Sequence, residues 1–204
     1  MEFNSTVDFV KTFSHAKVDM KTVNGSDVQT TSISFTVEGK EAIQGHDTIK
    51  VNMTIESGSS SSYEIWIGEN DGVVYRLQME DQTYEFPMSS QIGSGLLGVF
   101  NIFVAYSQSL GSFQYQITGN TIVGFTEGWA LVSSDYTTWA IGGNTYPAWH
   151  IKVTNVAHPE VDMQSMEVTL ANLLADRWFY VNIFFQAKNG MTFEEKISEL
   201  TLST

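Results

Sequence analysis

The chain contains no cysteine. Disulfide staples, thiolate nucleophiles, zinc ribbons and iron–sulfur ligation are therefore excluded. Positive charge is also scarce, with 10 Lys and Arg against 23 Asp and Glu and a net charge of −13. The two arginines, Arg76 and Arg177, are far apart and the lysines are scattered. Nucleic acid is excluded as a partner, because phosphate binding needs clustered cations. Anionic membrane surfaces are disfavoured for the same reason. A span of about twenty apolar residues is missing as well. The longest apolar stretch, Leu96 to Tyr106, is too short and is broken by Asn101. The start, Met1-Glu2-Phe3-Asn4-Ser5, lacks the basic and apolar regions of a signal peptide. One reading of Met1-Glu2-Phe3 is a remnant left where a leader or anchor was removed.

Signatures of catalysis are missing too. There is no G-x-S-x-G elbow, P-loop or dinucleotide fingerprint. The adjacent acidic pairs Glu80-Asp81 and Glu194-Glu195 cannot act as dyads, since neighbouring strand residues point to opposite faces. The four histidines, His15, His46, His150 and His158, show no metal-ligand spacing. His150, His158 and Asp162 would have to converge in space to hold an ion, and surface positions explain them more simply. No catalytic residue, metal or cofactor is assigned.

What the chain does have is period-two alternation. Ile33, Phe35 and Val37 are followed by Ile49, Val51, Met53 and Ile55, then Tyr63, Ile65 and Ile67. Glu69-Asn70-Asp71-Gly72 reads as a hairpin turn before Val73, Tyr75, Leu77 and Met79. Gly58 to Ser62 reads as a small polar linker. Further alternating runs surround Gly119-Asn120, Gly142-Gly143-Asn144 and Asn189-Gly190. The pattern predicts a mainly β fold: an up-and-down antiparallel sheet of about nine or ten strands in one domain, 1–204. Such a length buries about 70% of the unfolded surface.

Two segments depart from alternation. Val7, Val10, Phe13 and Val18 are spaced like a helix, which predicts a short N-terminal helix within Thr6 to Lys21. From Phe86 to Thr126 there is no charged residue. Within it Ile92, Leu96, Phe100 and Phe103 recur at helical spacing, with Leu97 and Val104 opposite. A helix apolar all round is buried or faces something greasy. Plug and lid remain open as readings. Trp66 and Tyr180 alternate against apolar neighbours, so Ile65-Trp66-Ile67 and Trp178 to Phe185 are apolar on both faces. Such strands are covered on both sides or line a cavity on one.

The order of these elements resembles the LolA/LppX-type lipoprotein carriers. The segments that carry the resemblance are Glu64-Ile65-Trp66-Ile67 … Asp71-Gly72 … Tyr75-Arg76-Leu77, Gln82-Thr83-Tyr84-Glu85-Phe86-Pro87 with the apolar insert, Asn144-Thr145-Tyr146-Pro147-Ala148-Trp149-His150-Ile151, Trp178 to Phe185, and Asn189-Gly190-Met191-Thr192. The resemblance is one of pattern over most of the chain, and no family residue is carried over. It implies a curved half-barrel closed by helices around an apolar cavity, and a hydrophobic ligand such as a lipid or acyl chain. The ligand-binding candidates are Ile92, Leu96, Phe100, Phe103, Trp66, Trp178 and Tyr180. The alternative is a structural subunit of a surface layer or filament, self-associating through apolar strands. Sequons at Asn4, Asn24 and Asn52 fit N-glycans and an extracytoplasmic setting, secreted or membrane-anchored.

Overall fold

Alternation along the chain becomes strand after strand. The computed structural model describes residues 6–97, 116–118, 121–123, 128–157, 162–174 and 177–203. A short helix α1 (Thr6–Thr12) leads into β1 (Phe13–Asn24), β2 (Asp27–Ile43), β3 (His46–Ser57), β4 (Ser59–Gly68), β5 (Val74–Met79) and β6 (Gln82–Glu85). A second helix, α2, covers residues 88–97. Then come β7 (Gln116–Thr118), β8 (Thr121–Val123), β9 (Trp129–Ile141), β10 (Asn144–Asn155), β11 (Met163–Leu174), β12 (Arg177–Ala187) and β13 (Thr192–Leu202). Eleven strands make one open sheet in the order β6-β5-β4-β3-β2-β1-β13-β12-β11-β10-β9, and β7-β8 form a separate ladder. The sheet is an antiparallel meander as expected, with the first and last strands side by side and eleven strands instead of nine or ten.

Three local expectations are corrected. The N-terminal helix ends at Thr12, and Phe13–Asn24 is a strand. Its buried positions Phe13, Ala16 and Val18 step by three and then two, which in sequence imitates a helix. The Gly58–Ser62 linker is mostly strand: Ser59 to Ser62 pair with Ser57 to Thr54 at the end of a long hairpin. Two-residue turns with positive φ at both positions occur at Gln44-Gly45 and Gly142-Gly143, matching the right-handed twist of the strands they join. The Asp71-Gly72 turn is instead a longer loop, closed by Gly68 N donating to Val73 O at 2.7 Å. Gly72 and Gly190 do hold the positive φ expected of them, 72° and 85°.

The chain falls into two compact units. The first comprises residues 1–18, 31–104 and 198–204, and the second 19–30 and 105–197. In the first, Ile49, Val51 and Met53 of β3 pair with Ile67, Ile65 and Tyr63 of β4 to make an apolar face. Phe9 of α1 packs on Phe13 and Phe35, with ring centroids 4.9 and 5.4 Å apart. Helix α2 lies on Val74 of β5 through its smallest residues. Ser89 Oγ donates to Val74 O at 2.6 Å, and a Cβ on Gly93 would come within 2.9 Å of the Val74 side chain. Ser89, Gly93 and Leu97, spaced four apart, are the buried stripe, and Ile92 and Leu96 are half-buried beside it.

Candidate functional site

On one face of the second unit, apolar side chains form cross-strand rows. Register places Trp149 of β10 beside Leu170 of β11, and Leu170 beside Tyr180 of β12. The next row is Ile151, Val168, Ile183 and Glu195, and the one after it Val153, Met166, Phe185 and Phe193. The apolar side chains of these rows on β10 and β11, with Tyr180 and Ile183 of β12, form a buried cluster, and the half-buried Trp129, Met163, Trp178 and Phe185 pack against it. Phe185 and Phe193 stack at 5.0 Å. Tyr136 meets Trp149 edge-on at 5.2 Å.

Glu195 is the exception in this face. Every residue of its row in the other three strands is aliphatic, and on its own strand it alternates with Phe193 and Ile197. It is 4% exposed, and its Oε1 has no hydrogen-bond partner. Burial pushes its carboxyl up to about 7, with no compensating charge. Trp149, 3% exposed, buries its indole Nε1 without a partner on the same face. Buried polar groups are normally paired, so two orphans on one apolar face are a local departure from what packing favours.

The opposite face of this unit also buries an unpartnered polar atom, Asn182 Oδ1, but there it lies among polar side chains, beside Thr169 and Lys196. Lys152 binds Glu167 at 2.6 Å, and His150 Nε2 lies 3.4 Å from the second Glu167 oxygen. His150 Nδ1 lies 3.2 Å from Thr169 Oγ1. Hydroxyl, imidazole and carboxylate in series look like an activated nucleophile. Thr169 is fully buried, however, and Lys152 already engages Glu167. With the carboxylate held by Lys152 and the imidazole engaged at both nitrogens, the trio is structural. Glu194 lies on this face, one residue from Glu195, as strand alternation requires. His158 lies outside the described residues. Among the described residues no three metal-ligating side chains converge.

The sequence-based candidates divide between the units. Trp178 and Tyr180 join the apolar cluster of the second unit. Ile92 and Leu96 lie on α2 in the first, and Phe100 and Phe103 fall outside the described residues. Trp66, also in the first unit, sits on the face away from Ile65 and Ile67. There Lys50 Nζ and the Arg76 guanidinium lie 5.2 and 5.5 Å from its ring centre. Its Nε1 donates to Glu41 at 2.8 Å. Lys50 is held between Glu38 and Glu64, both at 2.8 Å, which keeps its ammonium above its usual range. Arg76 pairs with Glu85. Trp66 is thus a satisfied platform for paired cations, separated from α2 by the sheet. Sequence reasoning did not single out Glu195 as a site residue. The run Phe193-Glu194-Glu195-Lys196-Ile197 carried the signal, since alternation sets Glu195 with Phe193 and Ile197.

No family model matches the chain, and no curated protein matches it. Solved structures of similar architecture do. They include lipoprotein LppX of Mycobacterium tuberculosis, at 9% identity over 98% of this chain and 92% of that one, with a TM-score of 0.36. The MucA/MucB complex of Pseudomonas aeruginosa matches at 11% identity over 98% of this chain, with a TM-score of 0.39. This chain spans only 57% of that one. A Bacteroides fragilis protein with a YmcC-like fold matches at 9% identity over 92% and 94% of the two chains, with a TM-score of 0.29. At such values the likeness concerns architecture, and what this chain binds has to be argued from its own side chains.

Proposed function

We propose that the chain is a non-catalytic, extracytoplasmic binding protein that shelters the apolar part of a lipid or similar amphiphile on the β10–β13 face. The supporting observation is the pair of buried, unpartnered polar atoms, Glu195 Oε1 and Trp149 Nε1, in an otherwise aliphatic and aromatic face. Each unsatisfied buried group costs about 1–3 kcal/mol. A face shaped by packing alone would carry leucine and phenylalanine at those positions. A face that receives an amphiphile has a use for polar atoms held ready among apolar ones. Trp178 and Tyr180 supply aromatic walls. Exposure of Asn24 beside the β1–β2 turn suits glycan attachment and an extracytoplasmic setting. Among the described residues no helix is long and apolar enough to cross a membrane.

A fluorescent acyl probe tests this reading. Binding should be one to one, and affinity should rise by about 0.8 kcal/mol per buried methylene until the face is filled. A well-folded monomer that binds no probe would end it. One observation favours the second reading, self-assembly through strands. Among the described residues β9 is an edge strand, 13 residues long with a single charged residue, Asp135, and it exposes Leu131, Val132 and Tyr136. Edges without lysine or proline are open to pairing with another chain. Sedimentation would show dimers or filaments, and Val132→Lys would dissolve them.

A further inference from the structure

We infer that the amphiphile held on the β10–β13 face carries a cationic amine head, and that the Glu195 carboxyl is its receptor. This rests on the reading of that face as a ligand site. Glu195 lies in register with Ile183, Val168 and Ile151, and alternates along β13 with Phe193 and Ile197. None of these offers a hydrogen-bond donor. Its Oε1 is buried and unpartnered, so what it lacks is a donor or a positive charge from outside the protein.

Head groups differ sharply in what they offer there. An ammonium supplies both charge and donors, and would stabilise Glu195 as a carboxylate through a charge-assisted bond. A hydroxyl supplies one donor and no charge. A fatty acid brings a second carboxyl, and two adjacent carboxyls cannot both ionise without repulsion. The net charge of −13 also draws cations toward the protein and repels anions. The opposite face shows the contrast. Its half-buried acid Glu167 is already matched to Lys152 and His150, and Lys50 in the first unit to Glu38 and Glu64. Glu195 is the acid that the fold leaves unmatched among its own strand neighbours.

The test compares decylamine, decanol and decanoic acid, each below its micelle concentration, on the wild type, Glu195→Gln and Glu194→Gln at pH 8. The glutamine at 195 keeps shape and removes charge, and the glutamine at 194 removes the same charge from the opposite face. The wild type should bind decylamine at least tenfold more tightly than decanol, with decanoic acid weakest. Glu195→Gln should erase the preference for amine and leave decanol binding within about twofold. Glu194→Gln should preserve the preference, which separates a local receptor from general attraction to an acidic protein. Decanol binding with no amine preference, or a preference that survives Glu195→Gln, overturns the inference while the carrier reading stands. Failure of all three compounds to bind overturns both.

Discussion

Replacing Glu195 with glutamine should change how stability depends on pH. The carboxyl has an ordinary value of 4.5 and is pushed up to about 7 in the fold by burial. A raised folded value means that the native state holds the proton more tightly than the unfolded chain. Stability from this group is therefore greatest below pH 4.5 and declines as pH rises through the window to 7, then levels off. The displacement corresponds to about 3 kcal/mol at 1.36 kcal/mol per unit. Glutamine has no proton to lose, so the mutant should not share that decline. Glu38, Glu69 and Asp71 have lowered values, from hydrogen bonds to Lys50, Lys40 and Tyr75 respectively. Their stabilisation is lost on acidification, equally in both proteins, and cancels in the difference. Urea unfolding at half-unit steps from pH 4 to 8.5 would read the difference directly. Glu195→Gln should gain on the wild type between pH 4.5 and 7, by up to about 3 kcal/mol. Parallel curves would refute the buried, unpaired placement of this carboxyl.

Other substitutions test the frame around the site. Gly190→Val keeps open space around its Cβ but forces a β-branched residue to φ 85°, and should cost about 1–2 kcal/mol in chemical denaturation. Gly93→Leu would drive into Val74 and should detach α2 from β5, costing about 1–3 kcal/mol and loosening amide protection over residues 88–97. Trp66→Ala should cost about 3–5 kcal/mol, because the ring is buried and its loss leaves Glu41 without the indole donor. The same change should leave acyl-probe affinity unaltered, since Trp66 is no part of the β10–β13 cluster and its indole is already bonded to Glu41.

Most of the sheet was legible because alternation is a local property. Ile49, Val51 and Met53, or Ile151 and Val153, declare a half-buried strand without knowledge of any partner. β1 was not legible as a strand over its first residues, since burial at Phe13, Ala16 and Val18 departs from strict alternation. The role of Trp66 was hidden for a different reason. Its cations come from β3 and β5 and its acceptor from β2, and only register brings Lys50, Arg76 and Glu41 to one indole. The helical insert was found by composition, but the buried face is the small one. Ser89 and Gly93 let the backbone approach Val74, whereas hydrophobic periodicity pointed to Ile92 and Leu96. Trp178 and Tyr180 lie in a strand apolar on both faces, and alternation alone makes their burial legible. Glu195 was seen only as half of an acidic pair. Its split from Glu194 across the strand was expected, and the consequence for a carboxyl facing Ile183 depends on the neighbouring strand.

If the apolar face of β10–β13 receives an amphiphile, tryptophan side chains report on it. Five tryptophans give five indole N–H resonances in a nitrogen–proton correlation spectrum. Titration with an acyl ligand should move the resonance of Trp149, whose Nε1 has no partner, and that of Trp178 at the cluster rim. The resonance of Trp66, already bonded to Glu41 and flanked by Lys50 and Arg76, should stay in place. An unmoved Trp149 at saturating ligand, or a shift confined to Trp66, would contradict the account.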